Sequence, residues 1–160
     1  MRRILLALLV LIAAPAWADD FRDQALEAHN SERALVGVPP LKWDPMLEAR
    51  ARSWAAYLAS LGHLGHDTGS GEGENLWMGE AGLHSVPEMV ADWAGEKVNF
   101  KYGTFPYVSR TGHWHDIGHY TQIVWRHTEV MGCGRATAND WDYLVCRYRA
   151  PGNVVGEKPY

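Results

Sequence analysis

Cysteine is scarce in this chain of 160 residues, which has only two, and neither H-E-x-x-H nor a glycine-rich phosphate-binding pattern occurs. The scarcity of cysteine excludes a cysteine-dense disulfide scaffold. Because the two motifs, which are common enzyme and cofactor signatures, are absent, we expect no organic cofactor. Positive charge is not in excess, because the formal net charge is -4. A nucleic-acid binder with a broad basic surface is therefore not expected. No serine lies in the G-x-S-x-G context of a nucleophile elbow.

Only one long apolar run occurs, and it lies at the N-terminus. Residues 4–14 are apolar, follow two arginines, and precede the A-x-A pattern of residues 16–18. This order predicts a signal peptide that is cleaved after Ala18. The alternative is a short membrane anchor, although the run has about half of the ~20 residues that a transmembrane helix needs. We expect one domain over residues 19–160, in a secreted or periplasmic protein with no membrane span after cleavage.

The two cysteines, Cys133 and Cys146, stand symmetrically about Asn139 and Asp140, a pair that is typical of tight turns. A two-residue turn at that point places the cysteines directly opposite each other on antiparallel strands, within disulfide reach. We therefore favour a cross-strand disulfide over two buried free thiols. Such a bond persists in the oxidising compartment that a signal peptide implies.

The remaining pattern predicts helices early in the chain and strands late, which is typical of an α+β layered fold. Asp44 and Pro45 form the N-cap and first turn of a predicted helix that ends near Gly62. Ser85 and Glu88 form the capping box of another helix, which is expected to reach about residue 98. The other predicted elements are a helix over residues 19–35, a short strand over 75–78, a short helix over 119–127 and the cysteine-bearing hairpin.

Histidine and nearby glutamate residues are the strongest candidates for chemistry. The candidate metal ligands lie in or beside loops, except for Glu96 on the predicted helix after Ser85: His63, His66, Glu74, Glu96, His113, His115 and His119. The last three histidines form H-x-H-x-x-x-H, a spacing that can gather a metal ion, whereas the first two lie in the glycine-rich loop 62–73. Imidazole nitrogens and carboxylate oxygens are ligands that zinc accepts. Each residue taken singly is also consistent with an ordinary surface side chain.

Two long motifs give the chain a resemblance to a known family. GHYTQIVWRHTEVMGCG at residues 118–134 and YLVCRYRAPGNV at residues 143–154 closely resemble the two signatures of the CAP superfamily. That superfamily comprises cysteine-rich secretory proteins, insect antigen 5 and plant pathogenesis-related proteins of class 1. Shorter matches are A-H-N-x-x-R at 28–33, P-L-K-W at 40–43 and G-E-N-L at 73–76. The resemblance covers residues 22–155, and we expect a single-domain member from a bacterial source.

The resemblance implies a three-layer α-β-α sandwich with a central antiparallel sheet. It also implies a cleft with two histidines and two glutamates, which by motif are His66 in the loop before G-E-N, Glu74 in G-E-N-L, Glu96 in W-x-x-E and His119 in G-H-Y-T-Q. His63 is the rival of His66. Relatives can hold zinc between the two histidines, so His66 and His119 are the implied metal ligands. His113 and His115 lie outside the family pattern. Many eukaryotic members have three disulfides, whereas this chain can form one.

Membership of a fold family leaves function open. The first hypothesis is a non-enzymatic secreted module that binds an apolar molecule, such as a sterol or a fatty acid, or a protein partner. The loop before the first signature carries aromatic residues that either contact a lipid or only pack the loop: Phe100, Tyr102, Phe105 and Tyr107. The alternative is a zinc-dependent hydrolase or peptidase, with Glu74 or Glu96 as general base. A third hypothesis is protein interaction alone, without a role for the cleft.

Overall fold

The computed structural model describes residues 16–160, with side chains from residue 20 onward. In chain order the elements are α1 (Ala16–Leu35), β1 (Lys42–Trp43), α2 (Pro45–Leu61), β2 (Gly73–Glu80), α3 (Val86–Gly95), α4 (Gly118–Ile123), β3 (Val130–Ala138) and β4 (Trp141–Arg149). Single 3-10 turns occur at Glu96–Asn99 and Trp114–Asp116. The signal peptide predicted over residues 1–18 falls largely outside the described residues. Within them, no helix combines the length and the apolar character that a bilayer span requires.

The four strands form one sheet in the order β1-β3-β4-β2. β4 pairs antiparallel with both β2 and β3, whereas the two-residue β1 pairs parallel with β3 at one edge. The β3–β4 turn has positive φ at Asn139 and Asp140, as a two-residue hairpin turn requires. The resulting register places Cys133 opposite Cys146, with 4.1 Å between their Cα atoms and a disulfide between them. The predicted hairpin, its register and the cross-strand disulfide are thus confirmed.

Helices cover both faces of the sheet, which confirms the expected α-β-α sandwich. On one face the small side chains of α2 pack on alternate strand residues such as Leu76 and Val145. On the other face α1, α3 and α4 cover the intervening residues, among them Trp77 and Leu144. This alternation follows from the two-residue period of a strand, and it decides the face on which each site residue lies.

Helix α2 lies unusually close to β3 because β3 has glycine where the helix crosses it. A Cβ atom at Gly132 would be 2.2 Å from the backbone nitrogen of Glu48. At Gly134 it would be 2.3 Å from the Cα atom of Arg52. Both distances are too short for any side chain. The two glycines therefore determine how deeply α2 packs on the sheet.

Local capping signals set several helix ends. The Asp44 carboxylate accepts hydrogen bonds from the backbone nitrogens of residues 46 and 47, at 2.7 and 3.2 Å, and Gly62 ends α2 in the left-handed region with φ of 76°. The Glu88 carboxylate accepts hydrogen bonds from both the backbone nitrogen and the hydroxyl of Ser85, each at 2.7 Å. The predicted boundaries of α2 and the start of α3 are confirmed.

Three elements differ from the prediction because of contacts distant in sequence. β2 is longer than the predicted strand, since all its residues pair with β4. β1 was not among the predicted elements, and it forms because its two residues pair with β3. α4 ends at Ile123 rather than near residue 127, because the buried Arg33 guanidinium donates to the carbonyls of Ile123, Trp125 and Thr128 at 2.8–3.0 Å. These bonds satisfy carbonyl groups at and after the end of the helix, where no further helical turn supplies N–H donors.

Candidate functional site

The first half of the site joins His119 on α4 to Glu96, which directly follows α3. One carboxylate oxygen of Glu96 lies 2.6 Å from Nδ1 of His119, and the other accepts hydrogen bonds from the backbone nitrogens of His119 and Tyr120, at 2.9 and 3.1 Å. The imidazole also stacks on the Trp93 indole, with 5.9 Å between ring centroids. Trp93 and Glu96, the W-x-x-E pair, therefore act on the same ring from two sides.

The second half joins His66 in the loop after α2 to Glu74 on β2. Oε1 of Glu74 lies 2.8 Å from Nδ1 of His66 and also accepts a hydrogen bond from the backbone nitrogen of Asp67, at 3.1 Å. The Glu74 side chain is 5% exposed, whereas that of His66 is 58% exposed. His63, the rival candidate, is exposed, and its Nδ1 lies 3.1 Å from the carbonyl of Leu64. Of the two histidines, His66 is the one that the structure pairs with Glu74.

Strand β2 connects the two halves. Asn75, the residue after Glu74, is buried and donates a 3.1 Å hydrogen bond from Nδ2 to the backbone carbonyl of His119. Neighbouring strand residues point to opposite faces, so Glu74 lies towards α2 and Asn75 towards α4. We call His66, Glu74, Glu96 and His119 together the His/Glu cleft.

A buried polar chain, which sequence reasoning did not predict, extends from Tyr148 on β4 into α1. The Tyr148 hydroxyl lies 2.7 Å from Nε2 of His29, and His29 Nδ1 lies 2.7 Å from the carbonyl of Ala25. Burial lowers the pKa of His29 to about 4 and raises the pKa of Tyr148 well above its usual value, so both groups are neutral. His29 belongs to the A-H-N-x-x-R motif, and that motif was the only available signal for it.

Arg147 on β4 is the centre of a charged cluster beside Glu74, which sequence reasoning also did not predict. Its guanidinium donates to Glu72 at 3.0 Å and to Asp67 at 2.8 Å, and it lies 3.3 Å from Oε2 of Glu74. Burial by itself would lower the pKa of Arg147, but the hydrogen bonds with Asp67 and Glu72 and the charge of Glu74 outweigh it and raise the pKa. In turn the hydrogen bond from Arg147 lowers the pKa of Asp67. A charged residue between the apolar residues of a buried strand was the available signal.

The donor set of the cleft matches the ligand chemistry of the zinc ion that the family resemblance implies. Each imidazole is held at Nδ1 by a carboxylate, the usual arrangement around zinc-ligating histidines, and no hydrogen bond is formed at either Nε2 with residues 20–160. The chemistry thus fits a site with two protein ligands. Across the same residues, no three His, Cys, Asp or Glu side chains gather as a group that could hold a metal ion. The cleft therefore consists of two His–Glu pairs rather than one four-residue cluster.

The structure does not gather the H-x-H-x-x-x-H histidines. His113 and His115 are exposed at the 3-10 turn before α4, where the His115 ring stacks on Trp114 with 3.8 Å between centroids. Only His119, at the start of α4, contacts a carboxylate of the cleft. The H-x-H pair lies on a turn of its own, in line with its place outside the family pattern.

The aromatic loop before α4 divides into inward and outward rings. Phe105 is 3% exposed and Phe100 packs against Tyr120 and the C-terminal Tyr160. In contrast Tyr102 and Tyr107 are 55% and 80% exposed. The two phenylalanines therefore pack the loop down, and the two tyrosines are the rings that face solvent.

The chain is similar to known proteins over most of its length. The family model described as "CAP: Cysteine-rich secretory protein family" matches residues 26–148. Pathogenesis-related protein 1C from Nicotiana tabacum is 36% identical over 156 residues, which cover 97% of this chain and 90% of the relative. Pathogenesis-related leaf protein 4 from Solanum lycopersicum is 41% identical over 136 residues, with 84% and 80% covered. These relatives are plant proteins, and the expected bacterial source is not borne out.

Solved structures share the fold at lower identity. The crystal structure of NaASP2 with Zn2+ aligns with a TM-score of 0.73 at 24% identity, covering 89% of this chain and 85% of that one. Schistosoma mansoni venom allergen-like protein 4 aligns with a TM-score of 0.68 at 24% identity, covering 88% and 94%. The match to the family model and the curated relatives agree with the two sequence motifs and with the observed fold. The chain belongs to the CAP family, the cysteine-rich secretory protein family.

Proposed function

We propose that residues 19–160 form a secreted, non-enzymatic binding module whose His/Glu cleft takes a divalent metal ion through His66 and His119. The observation that carries this proposal is the pairing of each imidazole with a carboxylate through Nδ1, at 2.8 and 2.6 Å, which leaves Nε2 as the ligating atom. Two neutral imidazoles supply half of a tetrahedral zinc shell, and water or a ligand group supplies the rest. NaASP2, which has the same fold, was solved with Zn2+.

Secretion is supported by three independent features. The N-terminal residues have the order of a signal peptide. The disulfide between Cys133 and Cys146 is typical of exported proteins. The family description itself contains the word secretory.

Binding is favoured over hydrolysis because both candidate general bases are already engaged. The two oxygens of Glu96 accept three hydrogen bonds from His119 and Tyr120. Oε1 of Glu74 accepts two, and Oε2 is buried beside Arg147. A general base needs an oxygen within reach of a water proton, and these contacts leave little capacity for one. Bound zinc would supply Lewis acidity, so a zinc-dependent hydrolase or peptidase is the alternative function.

The metal proposal is tested by titration calorimetry with Zn2+ on the chelator-treated secreted protein. We expect binding that His119→Ala and His66→Ala each abolish, and that weakens on acidification because a protonated imidazole cannot ligate a metal ion. Glu74→Gln and Glu96→Gln should reduce the affinity by roughly 10–100-fold, which is less than loss of a ligand. His63→Ala and the His113→Ala/His115→Ala double variant are matched controls and should bind normally. Loss of binding in the double variant alone would place the metal on the H-x-H pair instead.

The hydrolase alternative has its own test. Turnover of a broad peptide library is measured with the zinc-loaded protein, with chelator, and with Glu96→Gln. No turnover above that of the chelated protein is expected for a binding module. Chelator-sensitive turnover that Glu96→Gln abolishes would establish the enzyme instead.

A second candidate function, binding of an apolar molecule such as a sterol or fatty acid, is favoured by one surface. Tyr160 lines a groove of about 500 Å³ together with Trp125 and Val154, and its backbone oxygen accepts a hydrogen bond from the exposed Tyr102. Native mass spectrometry of the secreted protein would detect a co-purified lipid. Loss of that species in Tyr102→Ser, but not in the remote Tyr57→Ser, would locate it at this surface.

A further inference from the structure

Arg147 occupies a position from which it contacts the support of His66 without contacting His66 itself. On β4 it is directly opposite Glu74 of β2 and Gly132 of β3, so all three lie in one row facing α2. The Arg147 side chain is 3% exposed, and its guanidinium lies 6.0 Å from the centroid of the Trp54 ring on α2. A rigid strand and a covering helix thus fix where the positive charge lies.

The contacts of Arg147 differ in how replaceable they are. The Glu72 carboxylate also contacts Arg50 at 2.5 Å and Arg149 at 3.4 Å, so it retains positive partners if Arg147 is removed. Asp67 retains a 3.2 Å hydrogen bond from the backbone nitrogen of Gly69. Within the described residues, Oε2 of Glu74 is buried and forms no hydrogen bond, and its only ion-pair contact is Arg147 at 3.3 Å. Removal of Arg147 would therefore affect Glu74 more than Glu72 or Asp67, because Oε2 of Glu74 would lose its positively charged partner.

Glu74 in turn is the side chain that fixes the His66 ring. His66 is 58% exposed, and Nδ1 forms its one hydrogen bond within the described chain, to Oε1 of Glu74 at 2.8 Å. A buried carboxylate with one oxygen unpaired is unfavourable and will rotate or draw in water to satisfy it. Either response moves Oε1, on which the orientation of the imidazole depends.

We propose that Arg147 is a positioning residue for His66: it clamps the Glu74 carboxylate so that Oε1 holds the imidazole with Nε2 directed away as the ligating atom. The role in metal binding rests on the proposed function of the cleft. The positioning itself is a property of the metal-free protein and can be measured there. Arg147 thus joins the charged cluster under α2 to the cleft.

The test compares Arg147→Gln, Arg147→Lys and the matched control Glu72→Gln. Glu72→Gln removes a charge from the same cluster and changes the contact between Arg147 and the loop after α2. It leaves the contact between Arg147 and Glu74 in place. Nitrogen-detected NMR of the histidine rings is recorded without metal above pH about 8.5, where imidazole is neutral and its tautomer is visible. His119, which is held by Glu96, is the internal reference in every spectrum.

In Arg147→Gln we expect the His66 signals to move from a single tautomer towards the mixture of a free imidazole, while the His119 signals stay unchanged. Zn2+ affinity should fall about tenfold or more, and Arg147→Lys should restore part of both effects. Glu72→Gln should retain the His66 signals of the unaltered protein. If Arg147→Gln does not fold, Arg147→Lys must still shift the His66 signals for the proposal to stand.

Two results would overturn the proposal. One is an unchanged His66 spectrum in the folded Arg147 variants. The other is an equal His66 shift in Glu72→Gln, which would mean that Arg147 merely anchors the loop. Absence of Zn2+ binding by the unaltered protein would instead refute the proposed metal function, and the metal-free spectra would still decide the role of Arg147.

Discussion

Acidification to about pH 5 should destabilise this protein through His29, an imidazole fully buried in α1. Its Nδ1 donates to the Ala25 carbonyl and its Nε2 accepts from the Tyr148 hydroxyl, each at 2.7 Å. Because the raised pKa of Tyr148 keeps its hydroxyl proton in place, a second proton on His29 would face another donor. Burial is the main cause of its lowered pKa, and the positive charge of Arg33 adds to it.

The direction and size of this stability change follow from the difference in the pKa of His29 between the folded and unfolded states. The pKa of His29 is about 4 in the folded protein against 6.5 for a free imidazole, so the unfolded chain binds the proton first as pH falls. Stability is therefore complete above pH ~6.5 and is lost between ~6.5 and ~4. The slope is about 1.4 kcal/mol per pH unit, which gives a loss of about 2 kcal/mol at pH ~5 and about 3 kcal/mol at pH ~4.

Urea unfolding at pH values between about 7 and 5 measures this loss. This window avoids the carboxylates of Asp67 and Glu88, whose pKa values are lowered by hydrogen bonds with Arg147 and Ser85 and which titrate at lower pH. His29→Gln retains a donor and an acceptor but cannot titrate, so it should lose most of the pH dependence. His127→Gln, which removes an exposed imidazole, is the matched control. An identical pH slope in His29→Gln and the unaltered protein would refute the reasoning.

Three further predictions follow from single features of the chain. Replacing Cys133 and Cys146 together by alanine should lower the free energy of unfolding by about 3 kcal/mol, given their separation of 13 residues; unchanged stability under reducing conditions would contradict this. Gly134→Ala should cost about 1–3 kcal/mol in thermal unfolding because its Cβ would meet the backbone of α2, whereas Gly65→Ala, with open space around it, should cost far less. N-terminal sequencing of exported protein should begin at Asp19, and retention of Met1 would indicate an uncleaved anchor.

The elements that sequence patterns predicted well are those with local causes. The capping residues Asp44 and Ser85 each act within three residues, and the hairpin register depends only on where its two-residue turn lies. The disulfide between Cys133 and Cys146 followed from that register by counting. Propensity and turn chemistry act at this range, so one sequence is enough to apply them.

The elements that sequence patterns missed depend on partners far along the chain. Arg33 caps the end of α4 at the Ile123 carbonyl, 90 residues away, and Arg147 contacts Asp67 across 80 residues. No periodicity indicates which carbonyl or carboxylate a buried guanidinium will find. The presence of arginine in otherwise buried segments was visible, but its partners depend on how the layers pack.

The two His–Glu pairs lie between these two cases, and the alternation of β2 explains how one short motif contacts both of them. In G-E-N-L, Glu74 points to the α2 face and holds His66, while Asn75 points to the α4 face and holds the backbone of His119. Both contacts come from consecutive residues of one strand, so neither can shift along the sheet without the other. A one-residue slip of β2 against β4 would exchange the two faces and separate both histidines from their supports. The full-length pairing of β2 with β4 is thus what fixes the two halves of the cleft relative to each other.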